Sequence, residues 1–163
     1  MINTTVATPE DMDMVRAIMA HPKVWPWISD DHSPSVESFT PSANPVITYL
    51  LLDDGEECLG LYMLFPYSAT CWEIHTCLLP RGWGSIGLEC AKAVLDWLFN
   101  NTPCEKLISW VPEDNDYAYK YSINAGLRLE GVNGKSVRRN GKLLDQSLFG
   151  ITKESWKCLP QYQ

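Results

Sequence analysis

The stretch "LLPRGWGSIGLECAKAV", residues 78–94, sets Gly82, Gly84 and Gly87 at G-x-G-x-x-G spacing directly ahead of an amphipathic helical pattern. Glycines there permit a tight turn and a close backbone approach. The first N–H groups of the helix that follows, at the positive end of its dipole, offer a site for an anion. The spacing alone is met by a dinucleotide site, by another pyrophosphate-bearing cofactor, and by a plain turn that starts a helix. The elements on either side decide among these.

Upstream, three strand patterns follow one another: "VITYLLLD" (46–53), "CLGLYMLF" (58–65) after the Asp54-Gly55 turn, and "CWEIHTCLL" (71–79). They predict an antiparallel meander. Before them, "INTTVAT" reads as a short strand, and Thr8 followed by "PEDMDMVRAIMAH" carries an N-cap, a Pro in the first turn and early acidic residues. Pro22 and Pro26 then break the chain into turns or one-turn helices. Downstream, the spacing predicts a helix over 84–100, with Leu88, Ala91, Leu95 and Leu98 on one stripe. A buried strand "KLISWVP" comes next, then a helix over 114–126 that closes at Gly126. "LRLEGV" and "KLLDQSLFGIT" flank Asn140-Gly141, a two-residue hairpin signal.

The order β-α-α-β-β-β-α-β-α-β-β describes one α/β (α+β) domain over 1–163, a mixed and mostly antiparallel twisted sheet flanked by helices. A dinucleotide fingerprint belongs after an early strand in a long parallel βαβ series. Here the glycines follow a meander and precede a hairpin. Glu113, an acidic residue after the next strand, is the main support for a nicotinamide-dependent oxidoreductase.

The chain has 163 residues, 45% hydrophobic, and a formal net charge of −7. That charge disfavours nucleic acid and anionic membranes as partners. With no apolar run long enough for a bilayer and no signal-like N-terminus, a cytoplasmic protein is expected. Six cysteines without a C-x-x-C pair indicate free thiols rather than disulfides or a metal site.

From about residue 46 to 156 the pattern resembles the GNAT superfamily of acyl-CoA-dependent N-acyltransferases, most of all the branch that acetylates the N-termini of ribosomal proteins. "RGWGSIG" resembles the family's pyrophosphate loop, R/Q-x-x-G-x-G/A. Arg81 and Gly84 match, while the last small position falls on Ile86 and glycine arrives one residue late at Gly87. "NDYAYKYSINAGLRLEG" resembles the second family motif, with Asn115, Ala118 and Gly126 in step, and "RRNGKLLDQSLFGITKESW" resembles the closing hairpin. "HPKVWPWISDD" resembles small phage-encoded members. The resemblance implies a GNAT-like fold that binds acetyl-CoA (coenzyme A). The backbone of Gly82, Trp83, Gly84, Ser85, Ile86 and Gly87 would hold the pyrophosphate, and Arg81 would add charge. Cys77, Leu78 and Leu79 would pair with the pantetheine arm, and Asn115 would face the same channel.

Transfer from a thioester requires a base for the amine and a path for the leaving thiolate. Glu73 and His75 lie two apart on a strand and so share a face. They are two candidate bases, or else polar residues on a solvated face. The family's frequent Tyr falls here on Ser122, with Tyr121 one residue earlier. Tyr121 is a candidate acid or a packing residue beside Ala118 and Ala125, and the protein can also lack a dedicated acid. Trp25, Trp27, Asp30 and Asp31 form a candidate acceptor surface or an irregular wrap around the core. The expected activity is acetylation of a primary amine, with a peptide or protein N-terminus ahead of a polyamine or aminoglycoside. The alternative is a non-catalytic acyl-CoA-binding or virion-associated interaction module. A homodimer is left open.

Overall fold

A computed structural model describes residues 1–160. The elements run β1 (Asn3–Val6), α1 (Met12–Met19), α2 (Trp25–Ile28), β2 (Thr48–Asp53), β3 (Cys58–Pro66), β4 (Cys71–Leu78), α3 (Ser85–Asn101), β5 (Lys106–Pro112), α4 (Asp116–Asn124), β6 (Arg128–Arg139), β7 (Lys142–Thr152) and α5 (Lys153–Lys157). The expected order is present, with α5 as one helix more. That helix is short, capped by the Thr152 hydroxyl, which accepts from Ser155 N–H at 3.0 Å. It carries Trp156 onto Phe99, with ring centroids 5.2 Å apart.

Local chemistry explains where the elements start and turn. The Asp11 carboxylate accepts from both the N–H and the hydroxyl of Thr8 at 2.8 Å, closing the turn that opens α1. Asn140 (φ 52°) and Gly141 (φ 74°) supply the two left-handed residues of a tight hairpin turn. β6 extends well beyond "LRLEGV" because the polar run after it also pairs with β7, across two irregularities in register. On α3 the buried face is Gly87, Cys90, Ala91, Val94, Leu95, Leu98 and Phe99. Leu88, expected on that stripe, is exposed, since one residue on a helix is a rotation of about 100°.

The strand order is β1-β2-β3-β4-β5-β7-β6. All neighbours are antiparallel except β4 and β5, which α3 joins as a crossover and which run parallel. One face of the sheet packs on α3 through Tyr62, Leu64, Ile74, Leu95 and Leu98. The other packs on α1 and the start of α2 through Val15, Ile18, Val24, Leu61 and Cys77.

Candidate active site

β4 and β5 pair only at Cys71↔Lys106, Trp72↔Leu107 and Glu73↔Ile108. Beyond Glu73 the strands separate, and a gap opens in the middle of the sheet. Leu79 N–H donates to Leu59 O at 2.9 Å, which fixes the phase of the β3/β4 ladder. Glu73, His75 and Cys77 therefore turn their backbone groups to β3, whereas Ile74, Thr76 and Leu78 turn theirs into the gap. The Leu78 carbonyl already accepts from the Trp83 indole at 2.9 Å. The last rung of the parallel ladder, Glu73↔Ile108, uses the Ile74 N–H, so the backbone groups left at the gap are the Ile74 carbonyl, both groups of Thr76 and the Leu78 N–H. This corrects the expectation for Cys77, whose groups face β3, and for Leu79, whose N–H serves the ladder and whose carbonyl accepts from Gly82 N–H at 2.8 Å. A cavity of about 30 Å³ lies on the α3/α4 side of the gap, lined by residues including Tyr62, Ile74, Thr76, Ser109 and Ser122. Ile74, Thr76 and Ser109 carry no motif. Only the phase of the ladder and the point of separation single them out.

The glycine loop stands at the mouth of this gap. A β-carbon on Gly82 would lie 2.6 Å from the Leu59 carbonyl oxygen, so the absent side chain lets the loop rest on β3. Gly84 precedes α3 with φ 68° and ψ −133°, a conformation that L side chains rarely adopt. A β-carbon there would meet nothing within 4 Å. The first-turn N–H groups of α3, at Ser85, Ile86 and Gly87, follow directly behind that open space. Trp83 is half-exposed beside it.

Arg81 departs from expectation. Its guanidinium is ion-paired with Asp54 at 3.1 Å and Glu57 at 3.0 Å across the β2–β3 turn, in a partly exposed position. The N–H groups of Glu57 and Glu56, and then Arg81, hold the Asp54 carboxyl down at about 2. Asn115 is likewise committed, its Oδ1 accepting from Ala118 N–H at 3.0 Å as the cap of α4. That bond sets the direction in which α4 leaves β5.

On the opposite face, His75 Nε2 and Glu73 Oε1 are 3.0 Å apart. The His75 ring stacks on Phe65, with centroids 5.6 Å apart and planes at 18°. The Glu73 side chain is 13% exposed and that of His75 38%, so the carboxylate sits beneath and the imidazole presents outward. Ser122, a candidate acid, instead donates its hydroxyl to Ala118 O at 2.9 Å within α4. Tyr121 is more than a packing residue. Its hydroxyl donates to Gly87 O at 2.9 Å and is hydrogen-bonded to the Tyr62 hydroxyl, tying α4 to the first turn of α3. Burial pushes the Cys77 thiol up to about 12, which removes the cysteine nearest the gap as a nucleophile.

The four residues proposed for the acceptor surface divide. Trp25 packs on Phe39, with centroids 4.8 Å apart, while Trp27 is 44% exposed. Asp30 accepts from His32 N–H and the Ser33 hydroxyl in a local turn. Asp31 accepts from the N–H groups of Asn140 and Gly141 at 2.8 Å each. Both carboxylates thus accept hydrogen bonds from the protein's own groups, and Asp31 remains exposed. Among the described residues no group of His, Cys, Asp and Glu side chains could hold a metal ion, and no helix is long and apolar enough to cross a membrane.

No protein-family model matches the sequence, and no curated protein matches it. The fold is matched by solved structures. A spermidine N-acetyltransferase from Vibrio cholerae, in complex with CoA and spermine, superposes with a TM-score of 0.78 at 14% identity, covering 94% of this chain and 96% of that one. A ribosomal-protein-S5-alanine acetyltransferase from Vibrio fischeri gives 0.74 at 15% identity over 95% and 94%. An aminoglycoside acetyltransferase, in complex with coenzyme A and kanamycin, gives 0.74 at 15% identity over 97% and 98%. The chain shares the fold of these acetyltransferases.

Proposed function

We propose that the protein is an acetyl-CoA-dependent N-acetyltransferase, a single domain that acetylates a primary amine. The observation that carries this reading is the separation of β4 from β5 with Gly84 and the α3 N-terminus at its mouth. The residues fit the ligand. The Ile74 carbonyl and the gap-facing groups of Thr76 can pair with the amides of a pantetheine arm as an added strand would. The bare backbone at Gly84 and the first N–H groups of α3 suit a pyrophosphate.

Acetyl-CoA supplies an acyl group already activated as a thioester. The protein must place an amine against it and take the amine's proton. With the Glu73 carboxylate accepting from Nε2–H, the His75 lone pair lies on Nδ1, and Nδ1 receives the proton. Glu73 fixes the tautomer and stabilises the imidazolium that forms, as the carboxylate does in hydrolytic triads. The Tyr121 and Ser122 hydroxyls both donate to backbone carbonyls. Departure as a thiolate needs no dedicated acid, since an alkyl thiol has a pKa of about 8.5.

For the acceptor we favour a peptide or protein α-amine. Its free pKa of about 7.7–8.0 leaves a usable neutral fraction at pH 7, whereas lysine-type amines near ~10.4 need a stronger base than an imidazole. A polyamine is the second reading, because the V. cholerae neighbour is a spermidine N-acetyltransferase bound to spermine. Thermal shift with acetyl-CoA, CoA and NAD(P)H tests the class: stabilisation by NAD(P)H alone would overturn it. Mass spectrometry then compares three acceptors: a free-N-terminus peptide, the same peptide blocked but bearing lysine, and spermidine. Exclusive labelling of spermidine or lysine refutes the α-amine preference. Acetyl-CoA binding with no labelling supports the non-catalytic module.

A further inference from the structure

α2 and the residues after it cross the molecule on the face that carries Glu73 and His75. At one end Val24 and Ile28 pack with Leu61, Met63 and Cys77 on β3 and β4. At the other end the strap is bound to the β6–β7 hairpin, on the far side of β5 in the sheet order. Two sets of contacts make that second attachment. Arg139 donates from Nε to Ser29 O at 3.3 Å and from Nη2 to Trp27 O at 3.2 Å. Asp31 binds both N–H groups of the hairpin turn, and its own N–H donates to Arg138 O at 3.0 Å. The strap therefore bridges the part of the sheet where β4 and β5 have separated.

Arg139 has a third partner. Its Nη1 lies 2.8 Å from Asp114 Oδ1, and Asp114 directly precedes Asn115, the cap of α4. The side chain is 10% exposed, so these are charge-assisted bonds largely shielded from water. One planar guanidinium thus joins the strap on the Glu73/His75 face to the start of the helix whose Ser122 lines the cavity on the other face.

We propose that Arg139, supported by Asp31, is a positioning residue that fixes the strap as the roof of the amine site and sets its height over His75. This rests on the acetyltransferase reading. The roof is a welded element, and the exposed Trp27 indole is presented at a set place rather than closing over the amine after binding. A lysine cannot replace this arginine, because a point charge cannot hold two carbonyls and a carboxylate in the fork geometry.

The test compares wild type with Arg139→Lys and Asp31→Asn, using acetyl-CoA titrations, melting temperature and steady-state kinetics on the amine that wild type labels best. Asp31→Asn retains one acceptor for the hairpin turn and guards against a lysine variant that does not fold. The expected result for Arg139→Lys is a rise of about tenfold or more in KM for the amine, in line with the loss of one or more charge-assisted bonds. kcat and the acetyl-CoA Kd should change less than about threefold, and Asp31→Asn should show a smaller rise in the same parameter. A fall in melting temperature with the amine KM unchanged in both variants overturns the proposal and leaves the enzyme reading intact. Wild type that binds acetyl-CoA yet labels no amine refutes the enzyme reading and this inference with it.

Discussion

Replacing Gly84 by aspartate separates a cofactor loop from a plain turn. The native φ of 68° with ψ −133° is a glycine conformation, so any L side chain strains the backbone by about 1–3 kcal/mol. Space is not the obstacle, because a β-carbon there meets nothing within 4 Å. Aspartate also gains a favourable place at the positive end of α3, about 0.3–1 kcal/mol, so the net loss of stability should be about 0–3 kcal/mol. The cost to ligand binding is larger. A carboxylate about 5 Å from a doubly charged pyrophosphate repels it by about 2 kcal/mol in bulk water and about 7 at an effective dielectric of 20. The lower figure already predicts an acetyl-CoA Kd about thirtyfold weaker. Gly84→Ala, which carries the strain without the charge, should lose much less. Calorimetric titration of both variants, with melting curves to confirm folding, gives the answer. A folded Gly84→Asp that binds acetyl-CoA within threefold of wild type would refute the placement of the pyrophosphate.

His75→Ala should lower turnover by about 10²–10⁴, the range for a positioned base, and Glu73→Gln should lower it less. Equal rates across neutral pH in both variants remove the pair from the mechanism. Iodoacetamide at pH 8 should label the exposed Cys158 in the native protein and leave Cys77 unmodified, since its thiol stands at about 12. Peptide mapping that finds Cys77 labelled at a similar rate contradicts its burial. Asp54 has a folded pKa of about 2 against an ordinary 3.8. Its carboxylate therefore contributes stability that is complete above about pH 4 and lost as pH falls towards 2, so Asp54→Asn should flatten the acid melting profile in that window. A variant that melts in parallel with wild type from pH 5 to pH 2 counts against that linkage.

Elements with a local cause were legible in the sequence. The Thr8 start of α1, the Gly55 turn, the Asn140-Gly141 hairpin and the glycines before α3 each follow from backbone preferences of one or two residues. The order of elements along the chain followed too, because runs such as "VITYLLLD" and "KLISWVP" read as strands. What the sequence did not disclose depended on pairing between distant strands. The resemblance implied Cys77, Leu78 and Leu79, the end of the strand before the loop, as the pantetheine partners. Which residues of β4 face the gap is a matter of odd or even register against β3, and that phase is set by Leu59 and Leu79 across the ladder. A shift of one residue exchanges the two faces, so consecutive residues cannot all turn their groups to the gap.

The partners of the charged residues were hidden for a related reason. Arg81 and Asp31 look free in one dimension because their partners stand more than twenty residues away, in the Asp54–Glu57 turn and at Asn140 and Gly141. Arg139 was overlooked because the Asn-Gly pair beside it accounts for its neighbourhood as a hairpin. Yet a largely buried guanidinium bonded to Trp27, Ser29 and Asp114 exceeds what a turn requires. That Glu73 and His75 share a face was legible because the evidence is local: residues two apart on a strand share a face whatever the strand pairs with. Under the proposed function, the two faces of the sheet must be held in register across strands that no longer pair. In this protein that task falls to side chains, with Tyr121 joining α4 to α3 on one face and Arg139 joining the strap to α4 on the other.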